Sequence, residues 1–281
     1  MDLEFEDEGI LRKIKCGELT DVIVVNGFLS ENESDVSDWL SLIGEVYQSH
    51  TVHHFIWDAS SKFKVLTDSA TGDFFKAAID IGIEGIKAEG VKAEGVLSLA
   101  LSAYNLGRVP WQSAIDNSEM AGRTLARYLD NQDKQFILMG HSLGARVLYH
   151  CLKSMASKDK VTTAILLGGA VDEEAGWGEL LEKHSTMNIY NCHSDNDLVL
   201  KHLYPIKVGE SSPIGLRPIN IDLPDRLRNI DMSIIKLGHM EYKTSGVGAL
   251  LSRHINRTDS EPFEINVARV GGLVGLFGLL S

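Results

Sequence analysis

Six short, nearly continuous apolar runs rich in β-branched residues punctuate this chain, and helical patterns separate most of them. The runs are Asp21–Asn26, Val52–Trp57, Gln135–Met139, Thr163–Leu167, Met187–Asn191 and Met232–Leu237. A strand that reads apolar at every position is covered on both faces, which antiparallel sheets rarely achieve and parallel sheets require. Helical periodicity over Asp35–Gln48, Ser113–Asp130, Leu143–Ser157, Glu179–Lys183 and Glu241–His254 supplies the covering layers. The alternation therefore predicts a doubly wound, mostly parallel α/β sheet, with its sites at the carboxyl ends of the strands. No Pro- or Ser-rich linker divides the 281 residues, so a single domain is expected over 1–281.

Two segments break the alternation. Residues 67–110 read as a helical cap or lid inserted between strands, softened by Gly82, Gly85, Gly90 and Gly95. Each costs about 1 kcal/mol in a helix interior. Residues 267–281 form an apolar tail whose unbroken run, Val270 to Leu280, is 11 residues long. A bilayer-spanning helix needs ~20. The tail and the insertion are thus candidates for peripheral membrane contact, for packing on each other, or for covering a core.

Charge narrows the partners. A net charge of −12 argues against nucleic acid, whose phosphates demand clustered Lys and Arg, and against electrostatic docking on anionic lipid. Cys16, Cys151 and Cys192 have neither metal-site nor redox-motif spacing and read as reduced thiols. The acidic start, MDLEFEDEGILRK, lacks the basic and apolar regions of a Sec-type signal peptide, so a cytoplasmic location is expected.

The chemistry concentrates in QFILMGHSLGARVLYH, residues 135–150. A strand pattern ends at Gly140-His141-Ser142-Leu143-Gly144 and a helix pattern starts immediately. The G-x-S-x-G match is weak alone in a chain with 26 glycines, but a strand before and a helix after are its required context. A sharp strand-to-helix turn strains the central residue and crowds the positions two away, which glycine relieves. The serine hydroxyl then stands clear of the sheet beside helix N–H groups. A serine in an ordinary glycine-rich turn is the plainer alternative.

Serine needs a base, and the base an orienting acid. His239, in IIKLGHMEY, follows the last predicted strand, where an imidazole reaches back over the sheet edge. His254 falls in a later helix and reads as a surface group, while His193 and His202 precede that last strand. For the acid, NIYNCHSDNDLVLKHLY offers Asp195 and Asp197. Asp197 is favoured because Leu198-Val199-Leu200 anchors it by packing; Asp195 and then Asp172 remain alternatives, with helix N-capping the other use of such aspartates. Oxyanion donors are expected from the N–H of Leu143 and from the loop VVNGFLSEN, where Gly27 allows close approach and Phe28 supplies the N–H. Asn26-Gly27 also suits a plain strand-ending turn. Gly27 and His141 are the expected substrate-binding positions.

Several stretches in order, from roughly Val22 to Tyr242, carry a resemblance. They are NGFLSENESDVSDW, HHFIWDA, PWQSAIDNSEMAGRTLARYL, LMGHSLGARVLYHCL, ILLGGAVDEEAGW, NIYNCHSDNDLVLKHLY and NIDMSIIKLGHMEY. Together they resemble the α/β-hydrolase superfamily and, within it, the poorly characterised family that includes the transmembrane-and-coiled-coil-domain hydrolase-like proteins. The resemblance implies an α/β-hydrolase fold with a cap insertion and points to the same Ser142, Asp197 and His239. Asn26 stands where that pattern has a serine-like residue, and Leu198 where it has tryptophan. The implied activity is serine-esterase or lipase-like cleavage of carboxylic, lipid or acyl esters, which needs no cofactor and no metal. A catalytically silent hydrolase-fold scaffold, or an acyltransferase using the same triad, are the competing functions.

Overall fold

The computed structural model describes residues 3–5, 9–28, 35–57, 113–204, 212–221, 225–235 and 237–256. The 67–110 insertion and the 267–281 tail lie outside the described residues. Among the described residues, eight strands form one sheet: β1 Leu3–Phe5, β2 Gly9–Lys15, β3 Leu19–Val25, β4 His50–Trp57, β5 Phe136–His141, β6 Val161–Leu167, β7 Asn188–His193 and β8 Leu227–Asp231. Their spatial order is β1-β2-β4-β3-β5-β6-β7-β8. β1 and β2 pair antiparallel, as do β2 and β4. Every pairing from β4 onward is parallel.

Among the described residues, six helices cover the sheet: α1 Ser37–Val46, α2 over residues 113–130, α3 Leu143–Ser154, α4 Trp177–Lys183, α5 Leu198–Leu203 and α6 Ser245–Ile255. Strand alternation sends odd and even side chains to opposite layers. Ile23, Val25, Phe55, Phe136 and Leu138 pack under α2, α3 and α4. Val22, Val24, Val52, Ile137 and Met139 pack with Trp39, Leu42 and Ile43 of α1 and with Val247, Leu250 and Leu251 of α6. Both faces of the central strands are dry, so the β5 pattern is buried at all six positions.

Departures from expectation cluster at the sheet edges. The β1–β2 hairpin was not expected, because an edge strand alternates charge with apolar residues, as Arg12, Lys13 and Lys15 do in β2, and shows no continuous apolar run. The last strand was expected at Met232–Leu237 but is Leu227–Asp231, whose burial alternates with exposure. The apolar run after it is instead a single 3-10 turn, Ser233–Ile235, with Ile234 exposed. The final helix starts at Ser245, not Glu241, after a separate 3-10 turn over His239–Glu241. Helix α5 is a further addition, opening on Asp197 as its N-cap.

Candidate active site

At the carboxyl edge of β5 the chain turns directly into α3, and Ser142 is the hinge. Its φ of 57° and ψ of −121° make it the single non-glycine residue with positive φ among the described residues, a conformation an L-residue keeps only when its surroundings impose it. They do: Ser142 N–H donates to the Leu167 carbonyl (3.0 Å), and the Ser142 carbonyl accepts from the N–H groups of Ala145 and Ala170 (both 3.1 Å). The flanking glycines are steric necessities. A Cβ at position 144 would lie 2.1 Å from the Val25 carbonyl oxygen, and one at 140 would lie 2.7 Å from Ala145 N.

The side chains of Ser142, His239 and Asp197 form one hydrogen-bonded chain. His239 Nδ1 lies 2.7 Å from Asp197 Oδ2 and His239 Nε2 lies 3.0 Å from Ser142 Oγ. A carboxylate only accepts, so Nδ1 carries the proton and Nε2 accepts from the serine hydroxyl. Asp197 is fully buried, Ser142 and His239 nearly so. Asp197 does two things at once: Oδ2 holds the imidazole, while Oδ1 accepts from Leu200 N–H (2.9 Å) and caps α5. Capping was expected of the other aspartates, and here it fixes Asp197 itself. His239 sits in its 3-10 turn because Gly238 N–H donates to Glu241 Oε2 (2.6 Å). Ser194, which nothing in the sequence spacing singled out, stitches the acid loop to that segment through Oγ and the Leu237 carbonyl (2.9 Å).

The alternatives lie elsewhere. Asp195 is bonded through its N–H to Ser233 Oγ (2.9 Å), and Asp172 Oδ1 caps its own turn at Glu174 N–H (2.9 Å). His193 ends β7, with burial pushing its imidazole below the usual range. His254 is in the last turn of α6, its carbonyl accepting from Arg228 (2.7 Å). Residue 202 belongs to α5, and its side chain lies outside the described set. His141, expected to touch substrate, is buried and faces inward. Its Nε2 donates to the His239 carbonyl (2.8 Å) and its ring lies 4.9 Å from that of His239. Burial first, then the neighbouring His239 and Lys243, holds its imidazole neutral well below the usual pKa. That Nε2 contact ties His141 to the His239 turn.

Gly27 meets the site closely. A Cβ there would fall 2.7 Å from Ser142 Cβ and 3.2 Å from Ser142 Oγ, so the backbone entering Phe28 borders the hydroxyl. Leu143 opens α3 from the other side, and its N–H is among those a helix start leaves without an intrahelical acceptor.

A mostly parallel eight-stranded sheet, with a strained serine at the strand–helix turn followed in chain order by Asp and His at its carboxyl edge, defines an α/β-hydrolase fold. Residues 70–256 match the family described as "Protein of unknown function (DUF726)", and the chain belongs to that family. Among curated relatives, rice (Oryza sativa subsp. japonica) transmembrane and coiled-coil domain-containing protein STS1 is 25% identical over 266 residues, covering 90% of this chain and 39% of the relative. The Saccharomyces cerevisiae protein named "Probable lipase MIL1" is 22% identical over 237 residues, covering 80% of this chain and 21% of that one. The chain thus spans less than two-fifths of the length of either. Among solved structures, mouse alpha/beta hydrolase domain-containing protein 10 matches at TM-score 0.42 and 11% identity over 99% of this chain and 98% of that one. Some relatives are named as membrane proteins; among the described residues, no helix is long and apolar enough to cross a membrane.

Proposed function

We propose that this protein is a serine hydrolase that cleaves carboxylic esters through an acyl-Ser142 intermediate. The observation that carries this reading is the Ser142–His239–Asp197 hydrogen-bond chain, at 3.0 and 2.7 Å, built on a strained nucleophile turn. Ser142 Oγ attacks the ester carbonyl carbon while His239 Nε2 takes its proton, and Asp197 holds the tautomer that leaves Nε2 free to do so. The carbonyl oxygen becomes an oxyanion beneath the N–H groups of Leu143 and Phe28. His239 returns the proton to the departing alkoxide, and the alcohol leaves. Water, deprotonated by His239, then attacks the acyl-Ser142 carbonyl, and the carboxylic acid departs as the serine is reprotonated. As the group that accepts the serine proton, His239 has to start each cycle with Nε2 free.

Lipid acyl esters are the proposed substrate class. Support comes from the relative named as a probable lipase, and a comparison of phospholipid vesicles with short p-nitrophenyl esters tests it. The test of the mechanism is labelling of the folded protein by a fluorophosphonate probe together with p-nitrophenyl ester hydrolysis. Ser142→Ala is expected to abolish labelling and to lower kcat by about 10⁴-fold or more. Absence of labelling in the folded wild type, or undiminished hydrolysis in Ser142→Ala, would establish a silent hydrolase-fold scaffold instead.

A further inference from the structure

Behind the loop that borders Ser142 lies a buried cation that the triad does not use. The Lys243 side chain is only 4% exposed, yet lysine is among the residues least often buried. Its Nζ is ion-paired with Asp38 of α1, lies 5.5 Å above the Trp39 ring and donates to Asn26 Oδ1 at 3.1 Å. Withdrawing an ammonium from water is costly, and these contacts are what makes the burial tolerable. They raise the question of what the arrangement holds.

It holds Asn26. That residue is fully buried at the end of β3, immediately before Gly27. Asn26 Oδ1 accepts from Trp39 Nε1 (2.7 Å) as well as from Lys243, and the Asn26 carbonyl accepts from Trp57 Nε1 (3.0 Å). Three elements therefore converge on one residue: α1, the end of β4, and the segment between the His239 turn and α6. The Asn26 carbonyl belongs to the same peptide plane as the Gly27 N–H, so fixing it orients the backbone that leads to Phe28. From the opposite side, Gly144 packs so closely that a Cβ there would meet the Val25 and Asn26 carbonyl oxygens at 2.1 and 2.8 Å. The loop is held between the first turn of α3 and the Lys243–Trp39 pair. Lys243 also lies four residues beyond His239, so one short segment delivers both the base and this anchor.

We infer that Lys243 is a positioning residue for the oxyanion half of the site: through Asn26 it sets the Gly27–Phe28 backbone at its place beside Ser142, an assignment that rests on the serine-hydrolase mechanism proposed above. Oxyanion donors work only when already in place before the charge develops, and displacing one by about 1 Å can cost on the order of 10²-fold.

The experiment compares wild type, Lys243→Met, Lys243→Arg and Trp39→Phe as full chains, each assayed below its own Tm. The readouts are kcat and KM for p-nitrophenyl butyrate and the Ki of an aryl trifluoromethyl ketone, which adds to serine to give a tetrahedral oxyanion. Lys243→Met keeps the aliphatic stem and removes the donor and charge. It is expected to lower kcat roughly 10- to 100-fold and to raise Ki by a similar factor, with KM within about twofold. Lys243→Arg is expected to recover most of that loss, and Trp39→Phe, which keeps an aromatic ring but removes the indole N–H, to show a smaller change in the same direction. A residue that merely stabilised the fold would lower Tm and leave Ki alone. An active wild type with unchanged kcat and Ki in Lys243→Met overturns this inference by itself. Should Lys243→Met not fold, unchanged kcat and Ki in folded Trp39→Phe overturn it equally. A wild type without Ser142-dependent turnover overturns the hydrolase mechanism, and the inference with it.

Discussion

The two ends of the parallel sheet carry polar clusters of nearly equal bond length and very different character. At the amino end, Asp21 Oδ2 takes His53 Nε2 at 2.8 Å and Lys134 Nζ at 2.6 Å, with the lysine about half exposed. At the carboxyl end, Ser142, Asp197, His239, His141, Asn26 and Lys243 are all buried. Water can take the place of the half-exposed Lys134 on Asp21, so that ion pair contributes at most about 1 kcal/mol. A partner lost from the second leaves a dry polar group unmatched, at a cost of several kcal/mol. Distance alone does not rank polar contacts. Solvent access does.

The largest expected effect at the carboxyl end is one of rate, from Asp197→Asn. An asparagine amide would keep its oxygen on Leu200 N–H, since Asn is an equally good cap, and turn its NH2 toward His239. Nδ1 must then accept, Nε2 must carry the proton, and the imidazole can no longer take one from Ser142. A fall in kcat of about 10⁴-fold is expected with little change in Tm, measured by steady-state hydrolysis and thermal denaturation. An unimpaired rate would show the carboxylate to be a cap and nothing more.

His54 tests the same end through pH. It is fully buried on β4, and among the described residues neither ring nitrogen has a hydrogen-bond partner. Burial, then the charges of Arg12 and Lys243, push its imidazole down to about 4. An unfolded histidine titrates near 6.5, so between those values the unfolded chain binds more protons. Stability therefore falls as pH drops from about 6.5 to about 4, by roughly 3 kcal/mol from this residue. His54→Phe should flatten that part of the Tm-against-pH curve, and an unaltered slope would remove His54 as its source.

The smallest effect belongs to the amino end. Although burial raises the Asp21 carboxyl, hydrogen bonds from Lys134 and His53 more than compensate and hold it below the usual range. Lys134→Ala is expected to cost no more than about 1 kcal/mol, fading in high salt, with ester hydrolysis untouched. A loss of several kcal/mol in urea denaturation would erase the distinction between the two ends.

Much of this architecture was legible in the chain. The central strands β3 to β7 were readable because both faces are covered, which writes an apolar run with no gaps. The Gly140–Gly144 block was readable because a strand-to-helix turn demands small residues at fixed offsets. The hairpin β1–β2 and strand β8 were not, since a strand with a wet face mixes charge into its pattern and looks like a loop. Nor was the use of Lys243, whose neighbours in HMEYKT give no hint that an ammonium will be buried.

Local sterics and the periodicity of burial wrote the layers, the strained turn at Ser142 and the chain order Ser142, Asp197, His239 into the amino-acid pattern. Long-range packing selects Asp197 over Asp195 and Asp172 to meet the imidazole, turns His141 inward, and closes Trp39, Trp57 and Lys243 on Asn26. Those choices are contacts between residues separated by 13, 31, 42, 98 and 217 positions. They are settled by how helices seat on a sheet, which no local pattern records.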